Sequence, residues 1–406
     1  MELINQPFTG QLGNRLIELL TSSEYHTLNI IVAFAKNSGV LRLKDALEKF
    51  RERGGRVNAY VGIDLGGTSY EALTALLFHT DTLHVVHSEK GQTFHPKIYQ
   101  FLGKDKGLVI TGSHNLTGGG LWTNFESSAL LPIDKSDVNG MQMLESFDNY
   151  INELTSLKNS LMPIGSQDDI DKLLEHNYIF KEVTDQVRTA NAAIKDKSRE
   201  NLFGNGVPAK LPRIIMPTQD NTATISAAET PTIPLIDEGQ TIWFEPKKLT
   251  GGSRNILDLS MKSLIERGDP KGTCFDLGDP RFMRGSVEFF GINPSETGQS
   301  KNITLNFEGI DYTGNKILFP EGEKANGTWR LQLKGTSASE TKITDAFRTK
   351  GEEHYLVGKV ITFTKIQGDY YFMSVLPASE LDGFKAASRI LARNGSSKNA
   401  KLLGLL

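Results

Sequence analysis

The first third of the chain alternates between short apolar runs and segments whose apolar residues recur at helical spacing. Residues 28–34 form a near-continuous apolar run with β-branched side chains, which predicts a strand buried on both faces. Residues 39–53 carry apolar side chains at helical spacing, and Gly54 and Gly55 follow as a stop signal. We predict further strands at 57–63, 83–86, 97–101 and 107–110, and a second helix at 69–78. This alternation predicts a mixed α/β sheet flanked by helices.

The rest of the chain changes pattern twice. Residues 137–200 have the apolar spacing of helices, whereas residues 201–239 hold five prolines and a polar run with little periodicity, as in a linker. From residue 240 onward strands dominate, and we predict seven of them: 241–245, 256–260, 285–292, 301–307, 328–333, 355–364 and 370–376. We therefore expect an α/β domain over 1–200, a linker over 201–239 and an all-β barrel or sandwich over 240–406.

Composition narrows the class of protein. The 406 residues are 38% hydrophobic and 23% charged, which is typical of a soluble globular protein of two or three domains. Cys274 is the only cysteine, so an intrachain disulfide and a cysteine-built zinc site are excluded. No apolar stretch approaches the ~20 residues that span a bilayer, and the N-terminus lacks the pattern of a signal peptide. We expect a cytoplasmic protein without membrane association.

The net charge of −3 hides a difference between the two halves of the chain. Residues 1–239 carry 22 Lys and Arg against 29 Asp and Glu, a net −7, whereas residues 240–406 carry 23 against 19, a net +4. This difference in net charge indicates that the two halves of the chain have different functions. Only the second half has the sign that suits a nucleic-acid partner.

The strongest local signal is a histidine and a lysine two residues apart, followed downstream by a Gly-Ser turn. On a strand, His95 and Lys97 would point to the same face, which places an imidazole beside an ammonium. An imidazole can attack phosphorus, and an ammonium neutralises charge on the oxygens of a transferring phosphoryl group. Ser113 and Asn115, at the end of the next strand, would bond the same phosphate. Glu126 would hold the second ring nitrogen of His95 and so fix its tautomer.

These residues resemble the signature of the phospholipase D superfamily, in which H-x-K is followed downstream by G-S-x-N. His95, Lys97 and the segment Gly112–Asn115 match that signature, and the resemblance covers about residues 28–135. It implies a phospholipase D-like α/β domain and a covalent phosphohistidine on His95. It also implies that a second histidine protonates the leaving oxygen and that no metal or other cofactor takes part.

The chain departs from the superfamily pattern in two respects. Position 102, where an aspartate is often found, is Leu, and of the eight histidines only His95 is followed by x-Lys. Because the reaction needs two histidines, a single motif implies a homodimer with one shared active site, to which each chain contributes one His95.

A single motif, the missing aspartate and an acid shortly after Asn115-Leu-Thr-Gly are features of the BfiI-like and NgoFVII/NgoAVII-like restriction endonucleases. The chain resembles that group in all three. In that group a nuclease domain precedes a B3-like DNA-recognition pseudobarrel, and Glu126 stands where the group has its acid. The resemblance implies a sequence-specific, metal-independent endonuclease acting on double-stranded DNA, a type II-like restriction enzyme paired with a cognate DNA methyltransferase.

A B3-like domain reads the major groove with two arms, which need polar side chains for base edges and cations for phosphates. We expect the first arm within residues 247–262. The full set of expected DNA contacts is Lys247, Lys248, Arg254, Asn255, Lys262, Arg267, Lys271, Arg281, Arg284, Lys342, Arg348 and Lys350.

Two other functions stay open. The first is the nuclease subunit of an ATP-dependent restriction complex. The chain has no Gly-x-x-x-x-Gly-Lys-Ser/Thr loop for ATP, so in that case a separate helicase subunit would bind it. A phospholipid-acting phosphodiesterase would usually carry two motifs and a membrane-binding surface, and neither is visible. The segment 62–68 matches the phosphate loop of sugar kinases, but the helical pattern after it indicates a strand-to-helix turn with Thr68 or Ser69 as N-cap.

Overall fold

Two compact units make up the chain. The computed structural model describes residues 1–195, 209–215, 239–245, 247, 249, 255–321, 327–350 and 354–406. The first unit comprises Met1–Glu182 and Glu200–Ile215, and the second comprises Val183–Arg199 and Met216–Leu406. Most of the predicted linker lies outside the described residues, as do the predicted DNA contacts Lys248 and Arg254.

An eight-stranded sheet forms the centre of the first unit. Its strands are β1 (Glu2–Gln6), β2 (Thr27–Val32), β3 (Arg56–Gly62), β4 (Thr82–Val86), β5 (Lys97–Leu102), β6 (Lys106–Gly112), β7 (Glu126–Asp134) and β8 (Leu161–Pro163). They lie in the order β1-β7-β6-β5-β2-β3-β4-β8. The neighbours β2, β3 and β4 are parallel, and the other pairs are antiparallel. The sheet is mixed, as predicted.

Helices cover both faces of this sheet. They are α1 (Leu12–Thr21), α2 (Asn37–Glu52), α3 (Tyr70–His79), α4 (Val138–Ser156) and α5 (Gln167–Glu175). Successive residues of β2 show the two faces, because Ile30 lies in the core shared with α1, α2, α3 and α5, whereas Ile31 lies in a cluster with Leu154 of α4. A strand packed on both faces has to be apolar along its length, which is the pattern that residues 28–34 show.

The predicted strands and helices of residues 28–110 are confirmed to within two residues at each end. Residues 137–200 are not continuously helical, because β8 separates α4 from α5 and pairs with β4. Pro163 and Gly165 mark this interruption in the sequence. No helix in the described ranges combines the length and the apolarity needed to cross a bilayer.

An eleven-stranded sheet forms the second unit. Its strands are β9 (Thr241–Phe244), β10 (Ile256–Leu259), β11 (Lys262–Arg267), β12 (Phe282–Arg284), β13 (Ser300–Phe307), β14 (Ile310–Leu318), β15 (Trp329–Gln332), β16 (Lys359–Gln367), β17 (Tyr370–Pro377), β18 (Ile390–Arg393) and β19 (Leu402–Leu405). Their order is β10-β15-β14-β13-β17-β16-β9-β19-β18-β11-β12, antiparallel throughout except for the parallel pair β13 and β17. The helices are α6 (Glu182–Lys195), α7 (Ile343–Arg348) and α8 (Leu381–Ala387).

The prediction of seven strands was wrong, since the described residues of the second unit hold eleven. Residues 285–292 contain a 3₁₀ turn at Ser286–Phe290 and no strand. Four of the unpredicted strands, β11, β12, β18 and β19, are three to six residues long, too short to show a clear alternation of apolar and polar positions.

Helix α6 lies within the predicted first domain but packs in the second unit. Val183 and Val187 share an apolar cluster with Trp243 and Phe384. The Gln186 side chain accepts a hydrogen bond from the Thr241 hydroxyl at 2.8 Å. The contacts of residues 183–195 therefore assign them to the second unit, whereas the sequence pattern placed the boundary at residue 200.

Side chains bring the two ends of the second sheet together. No backbone ladder joins β10 to β12 in the part of the chain that the structure describes. Asn394, directly after β18, donates to the Asp258 carbonyl at 2.7 Å and accepts the Ser260 N–H at 2.9 Å. The Ser286 hydroxyl also donates to Asn394, at 2.7 Å. Asn394 thus links β10 to β18, so the sheet curls toward a barrel without closing.

We expect Asn394→Ala to lower the free energy of unfolding of the second unit by about 2–4 kcal/mol, because each of its three bonding partners would lose one hydrogen bond. Asn399→Ala is the matched control, since Asn399 is exposed. Urea unfolding followed by tryptophan fluorescence measures both, because Trp243 and Trp329 are buried in this unit. Equal unfolding midpoints for the two variants would contradict the bridging role.

Candidate active site

His95 and Lys97 lie together at the end of the first sheet where β5 begins and β2 ends, although they do not share a strand. Strand β5 begins at Lys97, and His95 belongs to the loop that precedes it. The Lys97 Nζ lies 2.7 Å from Nδ1 and 3.1 Å from Nε2 of the His95 ring, and it donates to the His95 carbonyl at 3.0 Å. The expected imidazole–ammonium pair is therefore present, but a loop that turns back on the strand produces it.

Lys97 is buried while His95 is exposed. Lys97 pairs with Val32 in the antiparallel ladder between β5 and β2, and only 8% of its surface is exposed. Burial lowers the pKa of the Lys97 ammonium, and the negative charge of Glu126 acts in the opposite direction. The ring of Phe34, two residues beyond the end of β2, meets the His95 ring edge-on at 5.7 Å between centroids.

Glu126 is held by the turn that follows β6. The Ser113 hydroxyl donates to the Glu126 carboxylate, and the Asn124 side chain donates to Glu126 Oε1 at 3.2 Å. Ser113 in turn accepts the Ser127 N–H at 3.0 Å. No hydrogen bond among the described residues joins Glu126 to His95, so the expectation that this acid fixes the histidine tautomer is not met. Its effect on the site is electrostatic and acts on Lys97.

Asn115 belongs to the same turn and reaches the end of β2. Its Oδ1 accepts the Phe34 N–H at 3.1 Å, and the next residue forms an isolated bridge with Ala35. The bond commits the side-chain oxygen of Asn115, which leaves its NH₂ group to act as the donor to a ligand. Gly112 allows the turn to form, because a Cβ there would lie 2.1 Å from the Ser127 carbonyl oxygen.

Two buried polar side chains that the sequence patterns did not single out support this turn. Gln6 donates to the carbonyls of Gly119 and Gly120 at 3.2 Å and of Asn124 at 3.0 Å, and so holds the segment that leads to Glu126. His114 is fully buried with its Nδ1 2.6 Å from the Ser128 hydroxyl. The partners of Gln6 lie 113 to 118 positions away and that of His114 lies 14 positions away, so no helix or strand spacing indicates these roles.

His114 differs from His95 in its electrostatics. Burial lowers the pKa of His114 to about 4, so its imidazole is neutral at physiological pH. Its Nε2 is buried without a hydrogen-bond partner in the described structure. A neutral, enclosed imidazole cannot reach a substrate, which leaves His95 as the histidine of this motif that faces solvent.

In the second unit, three of the predicted DNA contacts come together on β11 and β12. Lys262 is opposite Arg284 in the antiparallel ladder. The Lys262 ammonium lies 4.0 Å and the Arg281 guanidinium 5.7 Å from the centroid of the Phe282 ring. Lys262 is also 3.7 Å from Asp279. Lys262 and Arg281 therefore lie against one aromatic ring, whereas the Arg284 guanidinium pairs with Glu288 at 3.4 Å.

The remaining predicted contacts are dispersed over the second unit. Arg267 donates to the carbonyls of Ala386 at 3.4 Å and Ser388 at 3.1 Å, and so caps the end of α8. Three cations are paired with acids, namely Lys247 with Glu245 at 3.0 Å, Arg348 with Asp345 at 2.6 Å and Lys350 with Glu308 at 2.8 Å. Lys271 and Lys342 are exposed, and Asn255 is partly buried. The structure does not gather these residues into one surface.

Metal ligands were also sought in the structure. Within the described ranges there is no group of three or more His, Cys, Asp or Glu side chains arranged to hold a metal ion.

Comparisons with known proteins found likenesses only among solved structures, since no protein-family model and no curated protein matches the sequence. A phospholipase D family member, Nuc from Salmonella typhimurium, matches over 41% of this chain and 97% of its own, at 17% identity and a TM-score of 0.31. NucT from Helicobacter pylori matches over 38% of this chain and 94% of its own, at 16% identity and a TM-score of 0.28. Phosphatidylserine synthase from Haemophilus influenzae matches over 40% of this chain and 41% of its own, at 15% identity and a TM-score of 0.27.

The buried imidazole of His114 predicts a dependence of stability on pH. In the unfolded chain a histidine is protonated below pH ~6.5, whereas in the folded protein His114 is protonated only below pH about 4. Between these values the unfolded chain therefore binds one more proton than the folded protein. Stability due to His114 is therefore present above this window and is lost as the pH falls through it. Urea unfolding at pH 7, 6 and 5 should show a smaller loss for His114→Gln than for the wild type. His176→Gln, at an exposed histidine, should follow the wild type; parallel curves for all three would contradict the assignment.

Proposed function

We propose that the protein is a metal-independent, sequence-specific DNA endonuclease that acts through a covalent phosphohistidine. The observation that carries the proposal is the buried Lys97 ammonium, 2.7 Å from the exposed His95 imidazole. Asn115 and Glu126 approach the same end of the strands, since Asn115 bonds Phe34 beside His95 and the charge of Glu126 acts on Lys97. A nucleophile, a cation and hydrogen-bond donors around one point suit attack on a phosphodiester.

In the first half of the reaction, Nε2 of His95 attacks the scissile phosphorus. A bond forms between nitrogen and phosphorus, the bond to the leaving oxygen breaks, and that oxygen takes a proton from His95 of the partner subunit. Without substrate, the Lys97 ammonium rests against the His95 ring. A bound phosphate would draw the ammonium onto its oxygens and free the ring nitrogen for attack, with the Asn115 NH₂ group donating to the same phosphate.

In the second half of the reaction, water displaces His95. The histidine of the partner subunit, neutral after giving up its proton, takes a proton from the water as it attacks phosphorus. The bond between phosphorus and nitrogen breaks, and His95 is regenerated. Because one chain offers one exposed motif histidine, the two roles require a homodimer with its two-fold axis at the active site.

Sequence recognition would belong to the second unit, as a B3-like domain. The support for this is the pair of cations Lys262 and Arg281 against the Phe282 ring, on the last two strands of the second sheet. Cations at the end of a sheet can contact phosphates while neighbouring side chains read base edges in the major groove. Double-stranded DNA is therefore the proposed partner.

We expect His95→Ala to abolish cleavage of plasmid DNA while DNA binding is retained, because the substitution removes the nucleophile alone. Wild-type cleavage should persist in EDTA, and reactions quenched with alkaline denaturant, in which the nitrogen–phosphorus bond survives, should leave a DNA strand joined through its phosphate to the peptide that contains His95. His176→Ala is the matched control at an exposed histidine and should cleave at the wild-type rate. Loss of wild-type cleavage in EDTA would contradict the mechanism. Cleavage only after addition of a helicase partner would favour the ATP-dependent complex.

We expect Lys262→Ala combined with Arg281→Ala to weaken DNA binding about 10-fold or more and to reduce its salt dependence, because two phosphate contacts would be lost. The cleavage position should not change. Lys385→Ala is the control, since Lys385 pairs with Asp382 on α8 at 3.1 Å, away from this pair of cations. Fluorescence anisotropy at several salt concentrations measures both. Equal affinities for the double variant and the control would overturn this assignment of the DNA-binding surface.

A further inference from the structure

The segment 62–68, which resembles a phosphate loop in sequence, supports the loop that carries His95. Asp64 lies at the end of β3 and is 9% exposed. Its Oδ2 accepts the Phe94 N–H at 2.7 Å, and its Oδ1 lies 2.7 Å from Nδ1 of His87. Both carboxylate oxygens are therefore committed to the loop between β4 and β5.

The two partners of Asp64 lie near the two ends of that loop, which spans residues 87–96. His87 directly follows the last residue of β4, and Phe94 directly precedes His95. One carboxylate thus closes the loop 87–96 at its base. His87 is held from its other side as well, because Glu89 lies 3.8 Å from its Nε2 and the Tyr178 ring meets it edge-on at 5.3 Å between centroids.

Packing confirms the position of Phe94. The side chain lies against an apolar cluster that includes Tyr60 and Val86. Gly62 gives it room, because a Cβ on Gly62 would lie 2.7 Å from the Ala33 carbonyl oxygen and 3.0 Å from the Phe94 ring. The backbone just before His95 is therefore fixed both by a hydrogen bond and by close packing.

The same segment also supports the other neighbour of His95. A Cβ on Gly67 would lie 2.0 Å from the ring of Phe34, which itself meets the His95 ring edge-on at 5.7 Å. The Thr68 hydroxyl bonds the Gly62 carbonyl at 2.6 Å and the Ala35 N–H at 3.0 Å, which closes the segment on the end of β2. The glycines therefore admit two aromatic rings rather than a phosphate.

We propose that Asp64 is a positioning residue for His95, which acts by holding the loop 87–96 so that the imidazole is aimed at the scissile phosphate. This proposal rests on the proposed function, because aiming matters only if His95 is the nucleophile. Asp64 does not touch the reacting atoms. Its loss lets the loop move, so the fraction of bound complexes in which the imidazole is aligned for in-line attack falls.

Asp81 offers a matched control in the same sheet. Its Oδ2 accepts the Val57 N–H at 2.8 Å, and its Oδ1 pairs with Arg51 at 3.1 Å. Like Asp64, it bonds one backbone N–H and one basic side chain, but Val57 lies at the beginning of β3 whereas Asp64 follows its end. Asp81 thus stabilises the first sheet at the end of β3 opposite to the one that Asp64 follows.

The experiment compares Asp64→Ala, Asp64→Asn and Asp81→Ala in the full chain by hydrogen–deuterium exchange and by DNA cleavage. For Asp64→Ala we expect exchange of the amides in 87–95 to rise at least 10-fold and kcat to fall at least 10-fold with KM unchanged. Asp64→Asn keeps an acceptor for the Phe94 N–H and should recover part of both. Asp81→Ala should leave the exchange of 87–95 and kcat unchanged although it unfolds more easily.

Unchanged exchange in 87–95 for both Asp64 variants would overturn the proposal, as would an equal loss of kcat in Asp64→Ala and Asp81→Ala. The exchange measurement needs no enzymatic activity. If the wild type does not cleave DNA, the proposed function fails, while the exchange data still decide whether Asp64 holds the loop.

Discussion

The burial of the Lys97 ammonium is the constraint on which the rest of the candidate site depends. Pairing with Val32 forces Lys97 into the ladder at the end of β2, where desolvation lowers the pKa of its amino group. A charged amine at such a position needs acceptors and a nearby negative charge. The His95 ring and carbonyl supply the acceptors, and Glu126 supplies the charge. Glu126 therefore matters to the chemistry chiefly because it favours the charged form of Lys97.

This assignment changes how the turn after β6 is understood. The sequence pattern indicated a triad in which Glu126 orients His95, by analogy with other acid–histidine pairs. In the structure, Ser113 and Asn124 hold the carboxylate, and the Gln6 side chain holds the segment before it. Orientation of His95 comes instead from its own loop, whose base is closed by Asp64. In the proposed mechanism two carboxylates therefore divide these tasks: Glu126 at the start of β7 favours the charged form of Lys97, and Asp64 after the end of β3 holds the loop of His95.

The parts of the structure that local patterns could predict are those whose cause is local. Strand β2 was predictable because it is buried on both faces and is therefore apolar along its length. Helix α2 was predictable because its apolar residues recur at helical spacing and pack into one core. Strand β1 was not, because only Ile4 and Gln6 of its five residues are buried. Gln6 and Asp64 are single polar residues with partners 113 and 30 positions away along the chain. Only the fold brings such pairs together, so no spacing rule finds them.

Phe34, which belongs to neither part of the motif, connects H-x-K with G-S-x-N. The N–H of Phe34 holds the Asn115 side chain at 3.1 Å, its carbonyl accepts the Leu116 N–H at 3.1 Å, and its ring packs edge-on against His95. β6 does not pair with β2, so the turn that carries Asn115 has to cross over β5 to reach this point. The antiparallel register of β5 and β6, with Ile98 opposite Thr111, returns the chain to the end of the sheet where β5 begins. This register places G-S-x-N beside H-x-K, because a shift of β6 along β5 would carry Asn115 away from the end of β2.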